Sequence, residues 1–374
     1  MGNFSAFSTN PEKTKGRVYK TTKDKFRNDY QRDVGRIIHS TAFRRLKHKT
    51  QVFVNHEGDH FRTRLTHTLE VSQIARSISR YFKLNEDLTE AIALAHDLGH
   101  TPFGHAGEDA LIKASGSYFN HNDQSFRIIT FLEKVYLPFD GLNLTWETLE
   151  GIAKHNGPLK NINENSTLFS FNKNIMDLEL KTFPSLEAQV ASISDDIAYM
   201  NHDLDDGFRA GLFNPKDLNK LSFYKEIIKE YGIEADSDRF KKELVRKLIN
   251  KMVIDLIKQI ETNLNKIKPK NVNDIRNAGF NIASFSNKMK RNIFEIRLFL
   301  NKRMYNHKTV SNKTKKYKKI IENLYQLYIS NKLTIPTKWI NETYKDIKVD
   351  KKQIIIDYIS GMTDRYILKI CNKI

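Results

Sequence analysis

The chain has 374 residues, a formal charge of +18, and 39 % hydrophobic content that includes 23 Phe and 15 Tyr. That length suits one large or two modest domains, and the aromatic residues can fill a substantial core. Its one cysteine, Cys371, excludes an intrachain disulfide, and no apolar run approaches the roughly 18 residues of a membrane span.

Only 8 Pro and 16 Gly interrupt the chain, and long stretches keep helical spacing, so an all-α fold is expected. Cysteine usage fits a reducing cytoplasm. The first residues hold no apolar signal core, and Ala6 breaks the myristoylation pattern. The positive charge points to an anionic partner, nucleic acid or polyphosphate, or else to a solvated lysine-rich surface.

Residues 1–29 read as a polar, loosely packed arm. From Arg32 to Gln51 the apolar residues Ile38, Ala42 and Leu46 share one face, which predicts a helix with a basic flank. Residues 52–60 suggest a loop or short hairpin. Phe61 to Phe82 follows as a second helix, with Val71, Ile74 and Ile78 as its apolar stripe. His67 falls on that stripe, where a satisfied core histidine is the ordinary reading.

The next helix is expected to begin near Asp87, with Glu90 at capping-box spacing, and to end at His96-Asp97. Residues 94–108 then crowd His96, Asp97, His100, His105 and Glu108 into a segment punctuated by Gly99, Pro102 and Gly104. The glycines and proline stop the helix, so His100, His105 and Glu108 ride on a turn and the start of another helix. Imidazole beside carboxylate suits Mn, Fe, Ni or Mg better than a thiolate-rich structural zinc site. Two antiparallel helices joined by a short turn can bring His67 beside His96 and Asp97.

Leu186 to Asp206 is a further helix, with Val190, Ile193, Ile197, Met200 and Leu204 as its core stripe. Asp195 lies among apolar neighbours, and an inward carboxylate needs a cation or donors. His67, His96, Asp97 and Asp195 thus form a candidate metal set.

The order His…His-Asp…Asp on helices resembles the HD-domain phosphohydrolases. Longer motifs resemble the dGTPase-like deoxynucleotide triphosphohydrolases within that superfamily. They are Arg36 to Phe53, Arg62 to Val71, His96-Asp-Leu-Gly-His-Thr-Pro-Phe-Gly-His105, Lys154 to Pro158, Leu186 to Val190, Asp195 to Tyr199, His202 to Asp206 and Asp357 to Tyr366. The resemblance spans about residue 30 to the end. It implies an HD-domain core near 30–212 and a helical C-terminal region, 213–374, that completes the substrate pocket. After Gly211 the chain reads as lysine- and asparagine-rich and irregular to about 285, with helical stretches such as Phe240–Ile260. Ile293 to His307 is a helix that resembles the family element closing over the nucleotide, and 309–350 reads as a solvated basic surface.

The implied reaction is metal-dependent attack at the α-phosphorus of a dNTP, releasing deoxynucleoside and triphosphate. A 5′-alkoxide leaving group needs a general acid, and histidine suits neutral pH. His100, His105 and His121 are candidates, with Glu108 to orient an imidazole. The pairing expected is His100 with Glu108, leaving His105 or His121 to protonate the leaving oxygen. By matched position, Arg64 would hold phosphate, and Gln51 and Asp203 the sugar 3′-hydroxyl. Tyr199 would pack under the sugar, and Arg297 and Tyr305 would finish the pocket. Asp196 stands where eukaryotic-type relatives carry a phosphate-binding lysine, so another cation must serve there.

The resemblance also implies a homo-oligomer, and the lack of a long apolar run predicts no membrane contact. Two other readings compete: an HD-type 5′-nucleotidase or phosphodiesterase on another substrate, and a nucleic-acid-binding protein without turnover.

Overall fold

A computed structural model describes residues 4–51, 61–231, 237–345 and 347–372. The loop or hairpin expected at 52–60 lies outside the described residues. Among those described, 17 α-helices and no strand are found, so the fold is all-α as expected. None of these helices is long and apolar enough to cross a membrane.

The helices run α1 (Asp29–Ile38), α2 (Thr41–Arg45), α3 (Arg64–Tyr81), α4 (Glu86–Ala95), α5 (His105–Ser115), α6 (His121–Arg127), α7 (Trp146–Ala153), α8 (Thr167–Asn174) and α9 (Leu186–Arg209). After these come α10 (Ser222–Tyr231), α11 (Asp238–Ile267), α12 (Val272–Arg276), α13 (Asn287–Leu300), α14 (Lys308–Ile329), α15 (Thr337–Tyr344), α16 (Lys351–Ser360) and α17 (Asp364–Cys371).

Local chemistry explains where these boundaries fall. The single helix expected over 32–51 is broken at Ser40, whose hydroxyl accepts the Phe43 N–H at 3.1 Å and starts α2. A serine offers the backbone this alternative to continued helix. The buried face of α1 runs through Tyr30, Asp33 and Ile37, which leaves Ile38 exposed. Helix α4 is capped by Asn85, whose side chain accepts the Leu88 N–H at 3.0 Å; Glu90 takes no part in that cap. The irregularity expected over 211–285 is corrected by α10 and by the 30-residue α11. In α11, Leu244, Leu248, Met252, Leu256 and Ile260 are buried at four-residue steps, which outweighs the polar composition.

Three apolar clusters hold the fold. The largest joins α3, α4, α9, α11 and α13, from Val71 to Met304, and so runs across residue 212. A second lies under α1, α2 and α7, around Ile37, Leu94 and Trp146. The third packs α5 against α14, α16 and α17 through Leu111, Leu324, Ile356 and Ile367. Burial of Ile321, Leu324, Tyr325 and Tyr328 shows that α14 is half core, not the wholly solvated surface expected of 309–350.

Ser8, Thr9 and Arg17 tie the segment they lie in to the core. Ser8 and Thr9 are buried, and their hydroxyls donate to the Glu187 carboxylate at 2.8 and 3.0 Å. Arg17 pairs with the buried Asp33 at 2.5 Å. Polar residues tie this arm down by hydrogen bonding where apolar ones are scarce.

Candidate metal centre and active site

Helices α3, α4 and α9 pack side by side, and their facing positions carry the expected ligands. His67 stands one turn into α3, His96 and Asp97 follow the end of α4, and Asp195 lies near the middle of α9. His67, His96 and Asp97 each present a ligand atom within 4.8 Å of the others. Asp195 Oδ1 is 2.9 Å from His67 Nε2 and 3.5 Å from His96 Nε2. The structure therefore brings the four together.

Whether this group suits a cation turns on its unpaired atoms. His96 Nδ1 donates to the Ala93 carbonyl at 2.6 Å, which turns Nε2 toward the Asp97 and Asp195 carboxylates, 3.5 Å from each. Among the described residues, that buried Nε2 has no hydrogen-bond partner. Burial opposes charge on His96, but the Asp97 and Asp195 carboxylates overcome it and lift its pKa to about 9. Burial likewise works against Asp97 and Asp195. For Asp97, Arg64 and His100 outweigh it; for Asp195, His96 and His155 do. Both carboxyls are held well below the usual range. A buried place that attracts positive charge this strongly, lined by nitrogen and oxygen donors, fits a divalent metal.

The turn after Asp97 depends on glycine. A Cβ on Gly99 would meet the Ser125 backbone nitrogen at 2.1 Å, and Gly104 has φ +59°. Phe103 also has φ +61°, an uncommon state for a non-glycine residue. This turn delivers His100 and His105 beside His121, the first residue of α6. The three rings form a triangle with centroids 4.1 to 5.5 Å apart.

One expected pairing is corrected here. Glu108 partners His121, not His100: its Oε2 accepts from His121 Nδ1 at 2.8 Å, and its Oε1 from the His121 backbone N–H at 3.2 Å. His100 Nδ1 instead lies 2.9 Å from Asp97 Oδ1. Burial, with Arg64 and His121 close by, pushes the His100 pKa well below its usual value and that of His105 down too. The cause is tertiary. Helix α5 turns Glu108 toward the start of α6, which sequence spacing does not reveal.

A cavity of about 550 Å³ opens over this cluster. Gln51, Arg64, His67, Asp97, His100, His105, His121, Asp195, Tyr199, Arg297 and Tyr305 line it. His96, Glu108 and Asp203 stand behind that lining. Buried Arg64 donates to Asp97 Oδ2 at 2.9 Å, and its Nε has no hydrogen-bond partner among the described residues. Tyr305 donates its hydroxyl to the Asp203 carboxylate. Burial pushes Asp203 up to about 8 against that hydrogen bond. Burial and Asp203 raise the Tyr199 and Tyr305 hydroxyls. Beside Asp196, the position that lacks lysine, Arg297 donates to Oδ1 at 2.7 Å. Asn301 and Tyr305 are brought to the wall by a π-helical turn, Asn301–Tyr305, that extends α13.

Two residues that sequence reasoning passed over sit in this layer. His155 Nε2 is 3.4 Å from Asp195 Oδ2, and its ring stacks on His96 with centroids 5.1 Å apart. His202 Nδ1 is 3.0 Å from His67 Nδ1. Both fall within motifs quoted above. A signal existed for His202, which lies seven residues after Asp195 and so on the same face of α9.

Comparison with known proteins agrees with this architecture. Residues 64–200 match the HD domain, and residues 283–373 match the phosphohydrolase-associated domain. A deoxyguanosinetriphosphate triphosphohydrolase-like protein of Rickettsia rickettsii (strain Iowa) is 45 % identical over 99 % of this chain and 97 % of its own. Proteins of the same description from Bartonella henselae and Bartonella quintana are 46 % and 47 % identical, covering 98 % and 97 % of this chain and 94 % and 93 % of theirs. Identity of this order over nearly the whole length places the chain in the deoxyguanosinetriphosphate triphosphohydrolase-like family of HD-domain proteins.

Proposed function

We propose that the protein hydrolyses deoxynucleoside triphosphates to deoxynucleoside and inorganic triphosphate, with a divalent cation held by His67, His96, Asp97 and Asp195. The observation that carries this reading is a set of orphaned polar atoms. Gln51 Oε1, Arg64 Nε, His96 Nε2 and Asp203 Oδ1 are all buried without a hydrogen-bond partner among the described residues. They belong to residues in or just behind one cavity wall. Buried polar groups are nearly always paired, so a ligand with phosphate, hydroxyl and cationic character would complete them.

Each side chain has a task in that reading. A bound cation such as Mn²⁺, Mg²⁺, Fe²⁺ or Ni²⁺ would supply Lewis-acid polarisation of a phosphoryl oxygen. Arg64 and Arg297 hold phosphate oxygens through planar, always-charged donors. Gln51 and Asp203 take the sugar 3′-hydroxyl. Tyr199, with Tyr305 behind it, forms a floor under the sugar that leaves no room for a 2′-hydroxyl. Water attacks the α-phosphorus, the bond from phosphorus to O5′ breaks, and a proton passes to the departing O5′. His121 is favoured as its donor because Glu108 fixes that ring in place; His105 is the alternative donor.

The wider reading is a cytoplasmic homo-oligomer, with nucleic acid as a further partner for the basic surface. Support comes from the single cysteine and the charge of +18.

The test is turnover by purified protein with Mn²⁺ or Mg²⁺ and each dNTP and rNTP in turn, products resolved. Deoxynucleoside with intact triphosphate is expected. Monophosphate release or equal rNTP cleavage would favour an HD phosphohydrolase on another substrate. Absence of turnover with salt-sensitive DNA binding would favour the binding protein.

A further inference from the structure

Behind the expected ligand His67 lies a line of polar groups leading to the surface. His67 Nδ1 faces His202 Nδ1 at 3.0 Å, and His202 Nε2 stands 2.6 Å from Glu70 Oε2. That same oxygen accepts from Arg62 Nε at 3.0 Å, and Arg62 also pairs with Asp205 at 2.8 Å. The rings of His67 and His202 meet edge to face, 5.2 Å apart. His67 and His202 are buried, while the Glu70 side chain is 45 % exposed.

Proton accounting fixes the roles along this line. Glu70, paired with Arg62, is an ionised carboxylate and can only accept. His202 Nε2, at 2.6 Å from it, therefore carries hydrogen. A neutral His202 then has a lone pair on Nδ1. Two ring nitrogens at 3.0 Å need one proton between them, and His67 Nδ1 supplies it. His67 Nε2 is left with a lone pair, 2.9 Å from Asp195 Oδ1. Lone pair facing carboxylate is unfavourable unless a cation satisfies both.

We propose that His202, backed by Glu70, is a positioning residue that holds His67 in the one tautomer able to ligate a metal through Nε2. This role rests on the metal reading above. Its physical basis is general: a hydrogen-bond acceptor behind a ligating imidazole orients the ring and raises its basicity. A buried histidine that merely fills space would show no dependence on what stands at position 70.

The experiment is Mn²⁺ affinity, read by calorimetry with bound metal counted independently, for the full-length protein at one pH. Losses of about 10–100-fold are expected for His202→Leu, the range that such outer partners command. Glu70→Ala should weaken binding in the same direction. Glu70→Gln should recover most of that loss, because its amide oxygen can still accept from His202 Nε2. Equal affinity across wild type, Glu70→Ala and Glu70→Gln overturns the role, as does a folded His202→Leu with wild-type affinity. Should His202→Leu not fold, the two variants at half-exposed Glu70 decide. Wild-type protein that takes up no divalent cation overturns the metal centre itself, an outcome distinct from variants that bind as wild type does.

Discussion

The carboxylate of Asp364 receives the backbone N–H of Phe103 on Oδ1 at 2.9 Å, although 261 positions separate the two residues. Its Oδ2 receives the Thr50 N–H at 2.8 Å. Phe103 sits at positive φ in the turn between His100 and His105, so a residue near the C-terminus holds the turn that carries two candidate catalytic histidines. Lys49 adds a second tie, donating to the carbonyls of His100 at 2.5 Å and Ser360 at 2.9 Å.

Asp364→Ala leaves two buried N–H groups unpaired. At about 1–3 kcal/mol each, it should cost roughly 2–6 kcal/mol of stability. Activity should fall further than unfolding explains, because Phe103 can relax out of its strained conformation and carry His100 away. Urea unfolding gives the first number, and kcat measured well below the unfolding midpoint gives the second. A variant with lowered stability but unchanged kcat per folded molecule would detach the C-terminal tie from the catalytic turn.

That tie also shows which links the sequence displays. Residues within one element are legible: His96-Asp97 closes its helix, and α9 carries Asp195, Tyr199 and Asp203 on a common side. Resemblance to a family added Arg297 and Tyr305, which no periodicity would connect to position 195. Contacts between elements are a different matter. Glu108 is eight residues from His100 and thirteen from His121, yet it joins the latter because α5 and α6 meet at their N-terminal ends. His155 and His202 read as ordinary residues of a loop and a helix until three-dimensional packing sets them against Asp195 and His67. Ser40 shows the reverse: a local capping hydrogen bond to the Phe43 N–H outweighs the apolar stripe of Ile38, Ala42 and Leu46.

Asp203 gives a pH dependence whose sign is unusual for a carboxyl group. Burial, opposed by the Tyr305 hydroxyl, pushes it up to about 8, whereas an unfolded chain has it near ~3.9. Because the folded state holds this proton more tightly, the stabilising contribution is complete below about pH 4 and is lost as pH rises toward 8. Asp203→Asn keeps the shape and removes the ionisation. Its advantage over wild type should therefore grow between pH 5 and 8.5, by on the order of 4 kcal/mol. Chemical unfolding at those two pH values reads it directly. A gap that shrinks with rising pH would mean that Asp203 is ionised at little cost. Binding of dNTP should weaken in the same variant, since an acceptor for the sugar hydroxyl is lost.

The Glu108–His121 pair makes a prediction about rate. Removing a positioned general acid costs about 10²–10⁴-fold, so His121→Ala should lower kcat by that order with metal content unchanged. Glu108→Gln keeps one acceptor for His121 Nδ1 but loses its charge, and a drop of roughly tenfold is expected. His105→Ala should fall less than His121→Ala. The reverse order would move the proton donor to His105. Rates for a substrate with a good leaving group separate the cases further, because a chromogenic phosphate ester no longer needs the proton and should rescue whichever variant lacks it.

The last prediction concerns Arg297 and Asp196, which pair at 2.7 Å with both side chains more than half exposed. In the proposed pocket Arg297 must turn to phosphate, and Asp196 then both loses its partner and presents a like charge to the substrate. Asp196→Asn removes the competition and the repulsion together. KM for a dNTP should drop by about two- to fivefold at low ionic strength, with kcat little altered, since exposed charge pairs are weak. Salt screens such contacts over a Debye length of about 10 Å at 0.1 M. The difference between variant and wild type should accordingly fade by 0.5 M salt. A KM that rises instead would mean that Asp196 aligns Arg297 for the phosphate, and that the ion pair is part of the binding geometry.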